Sequence, residues 1–235
     1  MRVVTWNMGC GSPRYTGRYR KAHDEAWRLL LGFEPDVILV QEALLDVPAW
    51  VRDEETVIVA QPPGYEGQDA GCAIVVRGGL MATRHLMTIE GSYFAAAEVT
   101  GRDGPMFVAS IHVDTKDQQK HLRSLVDALR PMLDGRRFIV GGDFNACRRW
   151  DVVYKKNVYG WFFDELAALG AHDCHFGRHE REDRSFWGHQ AKEAYQLDHL
   201  FVERSGASRV RSCDVVTTDD TRRLSDHSPV LLELG

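Results

Sequence analysis

The stretch Phe138-Ile139-Val140-Gly141-Gly142-Asp143-Phe144-Asn145-Ala146 indicates most clearly how this chain folds. An apolar run, two glycines and Asp-x-Asn predict a buried strand that carries two polar side chains at its C-terminal end. Residues two apart on an extended chain point to the same face, so Asp143 and Asn145 can converge on one ligand. A carboxylate beside an amide suits the activation of a water molecule next to a phosphate group or a metal ion.

Five further segments place polar residues where a predicted strand begins or ends. They are Val3-Val4-Thr5-Trp6-Asn7, Asp36-Val37-Ile38-Leu39-Val40-Gln41-Glu42, Val108-Ala109-Ser110-Ile111-His112, Gln196-Leu197-Asp198-His199 and Ser225-Asp226-His227-Ser228-Pro229-Val230. Any one of them has a structural explanation, such as a capped turn or a loop carboxylate. Together they predict a single site assembled at the edge of a sheet.

In their order along the chain, from residue 5 to residue 230, these motifs resemble the endonuclease/exonuclease/phosphatase superfamily. The resemblance implies a four-layered α/β sandwich, with two mostly antiparallel sheets packed face to face and helices outside. The pattern of strands and helices alone predicts only an α/β or α+β protein. The resemblance also implies hydrolysis of phosphate esters.

A metal site follows from the same resemblance. Glu42 and Asp226 are the expected carboxylate ligands of Mg²⁺, with Mn²⁺ as a substitute, and Asn7 is expected beside them with its amide oxygen. The apurinic-endonuclease branch has an acid two residues after this asparagine, where this chain has Gly9. A second metal position near Asn7 is therefore not implied.

The remaining site residues have expected roles in proton transfer and phosphate binding. Asp198 is expected to fix the tautomer of His227, which contacts the phosphate. Asp143 is expected to orient or deprotonate the attacking water, and Asn145 to hold water and a phosphate oxygen. The general base is either Asp143 or His227.

His112 resembles a second histidine of the deoxyribonuclease and sphingomyelinase branches, expected to neutralise the phosphate or protonate the leaving oxygen. The alternative is a structural histidine, for which Asp69 is a candidate partner.

Basic and aromatic residues follow two of the site strands. Arg14 and Arg18 follow Asn7, and Arg148, Arg149 and Trp150 follow Asn145. Cations mixed with aromatic rings predict substrate contact through phosphates and stacked bases. A solvated charged surface is the competing interpretation.

Composition limits the class of protein and its surroundings. The chain has 235 residues, 44% of them hydrophobic, and site residues from both ends, which predicts one domain over residues 1–235. A net charge of −5 gives no overall attraction to nucleic acid. No segment resembles a signal peptide or a membrane span. The five cysteines lack a paired spacing, which predicts free thiols in a reducing cytoplasm; a secreted protein with two disulfides is the alternative.

A second cluster, His172, Cys174, His175 and His179, invites interpretation as a zinc site. No second cysteine pair supports it, so a strand with a polar edge near residues 171–176 is favoured. Asp173 is expected to be structural. Other expected elements are a helix over about 19–31, a helix over 118–132, and strands near 81–90, 184–188 and 208–216.

The predicted function is that of a monomeric nuclease that hydrolyses phosphodiester bonds of nucleic acid with Mg²⁺. A phosphomonoesterase acting on inositol phosphates and a non-catalytic binding protein of the same fold are the alternatives. Endonuclease and exonuclease modes, and DNA and RNA substrates, stay open at this point.

Overall fold

The structure is a computed structural model that describes residues 1–11, 16–53, 55–60, 69–188 and 193–235. Its strands are β1 (Arg2–Asn7), β2 (Val37–Leu44), β3 (Thr56–Ala60), β4 (Ala70–Val76), β5 (Met81–His85), β6 (Ser92–Gly101), β7 (Gly104–Val113), β8 (Phe138–Asp143), β9 (Ala171–Asp173), β10 (Asp198–Glu203), β11 (Val210–Val215) and β12 (Val230–Leu234). The α-helices are α1 (Thr16–Lys21), α2 (His23–Gly32), α3 (Ala49–Arg52), α4 (Gln118–Leu133), α5 (Arg148–Tyr154), α6 (Gly160–Ala168), α7 (Cys174–His179) and α8 (Asp219–Leu224). A 3-10 helix spans Arg204–Arg209.

The strands form two six-stranded sheets, and both are mostly antiparallel. The first sheet has the order β11-β12-β1-β2-β4-β3 and the second the order β5-β6-β7-β8-β10-β9. Parallel pairing joins β1 to β2 and β7 to β8, and the other pairs are antiparallel. The sandwich expected from the motifs is therefore confirmed.

Three apolar clusters separate the four layers of the sandwich. The central cluster joins side chains of both sheets, such as Leu39 and Ile139. A second cluster lies between the second sheet and helices α4 and α6, and includes Leu122 and Phe162. A third packs Trp27 and Leu30 of α2 against the first sheet. Alternating strand side chains and helical apolar faces account for this division.

Several expected elements differ from the structure. The helix expected over 19–31 is divided into α1 and α2 at Ala22. The strand expected near 171–176 ends at Asp173, because the Asp173 carboxylate accepts the Phe176 N–H at 3.1 Å and caps α7. The strand expected near 184–188 is a single bridge between Phe186 and His227. The strand expected near 81–90 is β5, which ends at His85.

Strand pairing brings the polar strand ends together. His112 at the end of β7 is in register with Asp143 at the end of β8, and Asp198 at the start of β10 is also in register with Asp143. In the other sheet, Asn7 lies beside Gln41. Both sheets therefore present their site residues at the same end of the sandwich.

Among the residues that the structure describes, no helix is long and apolar enough to cross a membrane.

Candidate active site

The site contains a buried histidine–aspartate pair. His227 Nδ1 lies 2.8 Å from Asp198 Oδ2, and the same carboxylate oxygen accepts the Ser185 hydroxyl at 2.7 Å. The ring of Phe186 lies 4.9 Å from the His227 ring. An Nδ1 hydrogen bond fixes the tautomer and leaves Nε2 for the reaction. This is the pairing that the sequence predicted.

Asp143 lies in front of that pair. Its Oδ2 atom is 3.7 Å from His227 Nε2, and its Oδ1 accepts the Asn145 backbone N–H at 2.9 Å. The neighbouring Gly142 has φ of 146°, and a Cβ at this position would lie 1.9 Å from Ile111 O. Glycine therefore allows β7 and β8 to approach closely enough for this geometry.

Asn145 turns back toward the site. Its φ of 51° is left-handed, a conformation that asparagine tolerates better than most residues. Its amide Nδ2 donates to Val113 O at 2.9 Å. Asn145 therefore ties the end of β7 to the loop after β8.

His112 connects Asp143 to Glu42. Its Nε2 lies 3.7 Å from Asp143 Oδ2 and 3.6 Å from Glu42 Oε1, and its ring lies 5.2 Å from that of Tyr93. Asp69, the partner considered for His112, forms its ion pair with Arg20 instead. His112 therefore faces the site carboxylates.

Glu42 reaches the site through an irregular strand. The pairing of β2 with β4 shifts register between Val40 and Ala43, and Glu42 has φ of 46°. Bulges of this kind redirect side chains next to active sites. The Asn7 amide Nδ2 donates to Glu42 Oε1 at 3.1 Å and to Asp143 Oδ2 at 2.9 Å, while its Oδ1 accepts the Gly9 N–H. Asn7 thus links the two carboxylates.

Glu42 and Asp226 are the two carboxylates expected to bind a divalent cation. A Cβ on Gly9 would lie 3.1 Å from Asp226 Oδ1, and a Cβ on Gly11 would lie 3.0 Å from Glu42 Oε2. Glycine therefore lets the loop after β1 pass close to both carboxylates, and the charge of Glu42 also acts on Asp226. An all-oxygen donor set is the kind that Mg²⁺ and Mn²⁺ prefer.

A group of three potential metal ligands in the described part of the chain lies elsewhere in the site. Asp143, Asp198 and His227 each offer a ligand atom, and these atoms lie within 4.8 Å of one another. However, His227 Nδ1 is already bonded to Asp198. A metal ion bound by this group would therefore have to compete with the hydrogen bond between His227 and Asp198.

Electrostatics distinguish the acids from the histidine. Burial raises the pKa of the Asp143 carboxyl, and the nearby His227 offsets this only in part. Burial also raises the pKa of Asp226, and the charge of Glu42 adds to this effect. For His227, burial disfavours the charged ring, but Asp198 and Asp143 outweigh it and raise its pKa to about 10. His227 is therefore a cation at neutral pH.

Two of the predicted substrate-binding residues, Arg148 and Arg149, form ion pairs with carboxylates of the protein. The Arg148 guanidinium lies 2.7 Å from Asp173 and over the rings of Phe163 and Phe176. Arg149 forms an ion pair with Glu193 at 3.2 Å. The prediction that these two arginines bind substrate gains no support from these positions.

Trp150 packs beside two tyrosines, Tyr154 at 4.6 Å and Tyr195 at 5.4 Å between ring centres. Arg18 is exposed, with its guanidinium 5.7 Å from the Tyr19 ring. Arg14 lies outside the described residues. The substrate-binding roles of Trp150, Arg18 and Arg14 stay predictions.

The second histidine cluster is not a strand edge. His175 and His179 lie on α7 with ring centres 4.5 Å apart, and they face Asp183 and Asp214 respectively. The grouping of metal ligands found among the described residues does not include them. All five cysteines are buried free thiols.

Sequence reasoning missed several residues that support the site. Ser185 holds Asp198, and the Ser225 hydroxyl donates to Asn7 O at 2.6 Å while accepting the His227 N–H at 3.0 Å. Ser225 is the first residue of the Ser-Asp-His motif, so the motif could have indicated its role in the site. Ser185 has no comparable motif around it.

The sequence matches the Endonuclease/Exonuclease/phosphatase family over residues 4–227. Among curated proteins, no sequence matches this chain.

Three similar solved structures cover almost the whole chain. The 3′-5′ exonuclease NExo from Neisseria meningitidis has 20% identity and a TM-score of 0.71, covering 100% of this chain and 99% of that chain. The 3′ phosphatase NExo from Neisseria, bound to a product DNA hairpin, has 21% identity and a TM-score of 0.70 with the same coverage. The human nocturnin catalytic domain with bound sulfate has 15% identity and a TM-score of 0.74, covering 100% and 93%. These likenesses establish a shared fold.

Proposed function

The chain belongs to the Endonuclease/Exonuclease/phosphatase family, and from that premise we propose that it is a divalent-metal-dependent nuclease. It hydrolyses phosphodiester bonds of nucleic acid by in-line attack of water. The observation that carries the proposal is the buried His227–Asp198 pair facing Asp143, next to the carboxylates Glu42 and Asp226. Residues 1–235 act as one domain, and the buried free thiols suit a reducing cytoplasm.

Asp143 is the general base in this proposal. His227, with a pKa of about 10, already carries a proton at neutral pH and cannot accept one from water. Asp143 is the carboxylate next to it, and it is held by the Asn145 N–H and the Asn7 amide. The attacking oxygen bonds to phosphorus, its proton passes to Asp143, and the bond to the leaving oxygen breaks.

Two histidines stabilise the charge that develops on phosphorus. His227 is a cation fixed by Asp198, so its Nε2–H is available to an equatorial phosphate oxygen. His112 lies on the other side of Asp143 and supplies the proton for the leaving oxygen. Glu42 and Asp226 would hold the metal ion. When bound, that cation neutralises the phosphate and polarises it for attack.

A phosphomonoesterase is the second candidate. The Neisseria fold relative is described both as a 3′-5′ exonuclease and as a 3′ phosphatase with DNA product. One fold therefore accommodates both a phosphodiester and a terminal phosphate.

A substrate panel tests the proposal. Single-stranded DNA, duplex DNA, RNA, a 5′-tyrosyl-DNA adduct and inositol phosphates are assayed at one Mg²⁺ concentration. We expect cleavage of nucleic-acid phosphodiesters, loss of that activity with EDTA, and its return with Mg²⁺ or Mn²⁺.

Cleavage confined to phosphomonoesters would replace the nuclease proposal with the second candidate. Full activity after exhaustive chelation would contradict the metal assignment. Absence of hydrolysis across the panel would favour a binding protein of this fold.

A further inference from the structure

Trp187 is hydrogen-bonded to the two residues on either side of His227. Its backbone N–H donates to Asp226 O at 2.7 Å, and its indole Nε1 donates to Ser228 Oγ at 2.9 Å. The preceding residue, Phe186, packs its ring against His227. The position of the indole is therefore fixed relative to Asp226 and His227.

Two arginines from different segments meet at this indole. The Arg184 guanidinium carbon lies 4.2 Å from the ring centre of Trp187, and that of Arg222 lies 4.3 Å away. The Arg184 Nε also donates to Phe186 O at 3.0 Å. Arg222 lies on α8, the helix that leads into Ser225 and Asp226. For Arg222, contact with a ring face leaves the N–H groups in the plane of the guanidinium available to a further acceptor.

Arg222 differs from neighbouring arginines in its charge partners. Arg223, the next residue on α8, is held by Glu25 and by Asp220 at 3.2 Å. Arg148 and Arg149 are also ion-paired. Within the described part of the chain, Arg222 has the Trp187 ring as its partner and no carboxylate. No carboxylate of the described residues therefore neutralises its charge.

A second phosphate group of a substrate requires a positive charge beside this site. The site itself concentrates carboxylates, namely Glu42, Asp143, Asp198 and Asp226, and the whole chain carries a net charge of −5. A substrate phosphate outside the metal position is repelled by these groups unless a cation lies beside it. Arg184 and Arg222 hold their guanidinium groups against the ring of Trp187, and the backbone N–H of Trp187 donates to Asp226 O.

We propose that Arg184, Trp187 and Arg222 form a subsite for a second phosphate group of the substrate, next to the phosphate that is hydrolysed. This rests on the proposed function and makes the enzyme selective for substrates with more than one phosphate. Two sources offer that chemistry: the backbone of a nucleic acid strand and a multiply phosphorylated small molecule.

The test measures the benefit of one added phosphate. kcat/KM is determined for a dinucleotide with and without a 5′-phosphate, and for inositol bisphosphate and inositol monophosphate. The proteins are the wild type, Arg222→Gln and the matched control Arg223→Gln. We expect the added phosphate to raise kcat/KM in the wild type. The phosphate ratio is kcat/KM with the added phosphate divided by kcat/KM without it. Arg222→Gln should lower the phosphate ratio about fivefold, mainly through KM, while Arg223→Gln should retain it.

The two substrate pairs distinguish the sources. If Arg222→Gln lowers the phosphate ratio only for the dinucleotides, the subsite is assigned to nucleic acid. If it lowers the ratio only for the inositol phosphates, the subsite is assigned to a small molecule. An Arg222→Gln ratio equal to that of the wild type in both pairs overturns the inference.

A binding measurement separates this inference from the proposed function. Fluorescence anisotropy of a labelled, 5′-phosphorylated dinucleotide is recorded in EDTA, where hydrolysis is not required. Weaker binding by Arg222→Gln than by Arg223→Gln supports the subsite even if the wild type hydrolyses nothing. Equal binding by the two variants, together with no hydrolysis, overturns both proposals.

Discussion

Two buried histidines in this fold each lie beside an aspartate, and they differ in what the second ring nitrogen meets. His227 bonds Asp198 through Nδ1 at 2.8 Å and directs Nε2 toward Asp143. His199 lies with Nδ1 3.6 Å from Asp173, but its Nε2 lies 3.0 Å from two backbone carbonyls, Ala146 O and Gln196 O. A histidine that is fully buried and has its Nε2 on two backbone carbonyls cannot exchange a proton with substrate through that nitrogen.

The charges of the two pairs are nevertheless similar. Burial disfavours the charged form of both rings, yet the adjacent aspartates raise the pKa of His227 and of His199. Burial also acts to raise the pKa of Asp173, but His199 and Arg148 outweigh it and hold that pKa well below its usual range. A shifted pKa therefore does not identify the reactive histidine. The geometry around Nε2 does.

The largest expected effect is on activity at the first pair. His227→Gln keeps a polar side chain of similar length but removes the cation next to Asp143, so kcat/KM should fall by about 10²–10⁴. The measurement is hydrolysis of bis-p-nitrophenyl phosphate with Mg²⁺, with circular dichroism to confirm folding. Near-normal turnover in a folded His227→Gln enzyme would place the reaction elsewhere.

The second expected effect is on stability at the other pair. Asp173→Asn leaves the buried His199 and the partly exposed Arg148 without their carboxylate, so the free energy of unfolding should fall by about 2–4 kcal/mol. Urea denaturation at pH 7 measures it, and the folded fraction should remain active.

A matched control uses an exposed pair. His179 and Asp214 lie 3.1 Å apart near the surface, so Asp214→Asn should change the unfolding free energy by less than about 1 kcal/mol. Equal losses in Asp173→Asn and Asp214→Asn would refute the structural role assigned to the His199–Asp173 pair.

The smallest expected effect is the pH dependence of the stability that the His199–Asp173 pair contributes. The pKa of Asp173 is depressed from 3.8 in the folded protein. Its contribution to the free energy of unfolding is therefore present above about pH 4 and is lost as the pH falls through its folded pKa. The pKa of His199 is raised from 6.5, so its contribution is complete below 6.5 and is lost as the pH rises through its folded pKa. The combined contribution is greatest between these limits.

Urea midpoints measured from pH 3 to 9 check this dependence. The slope for one group cannot exceed about 1.4 kcal/mol per pH unit. Asp173→Asn should flatten the acid side of the profile relative to the wild type. An unchanged acid side would mean that other carboxylates determine it.

Much of the site could be predicted from the sequence because strand ends are local features. Asp143, Asn145 and His112 follow apolar runs, and glycine marks the close approach at Gly142. The motif order then implied which strands meet. The proximity of His112 and Asp143, which are in register between β7 and β8, agrees with that implication.

Other features depend on contacts that no local pattern carries. Asp173 ends β9 and caps α7, so the strand expected near residues 171–176 is replaced by a helix after this residue. The same carboxylate also forms an ion pair with Arg148. Asp69 pairs with Arg20, which is close in space but not in sequence. Helix α8 did have local signals, since Thr218 and Thr221 form a capping box and arginines occupy its last turn.

The pairing of β1 with both β2 and β12 has a consequence for synthesis on the ribosome. Strand β1 is made first, but its neighbour β12 begins at Val230, and His227 comes only three residues earlier. A nascent chain therefore carries Asn7, Glu42 and Asp143 long before it carries His227. Until β12 is made, one edge of β1 has unpaired backbone groups that can associate with other chains. The activity proposed for this protein therefore requires that β12 has been synthesised and has paired with β1.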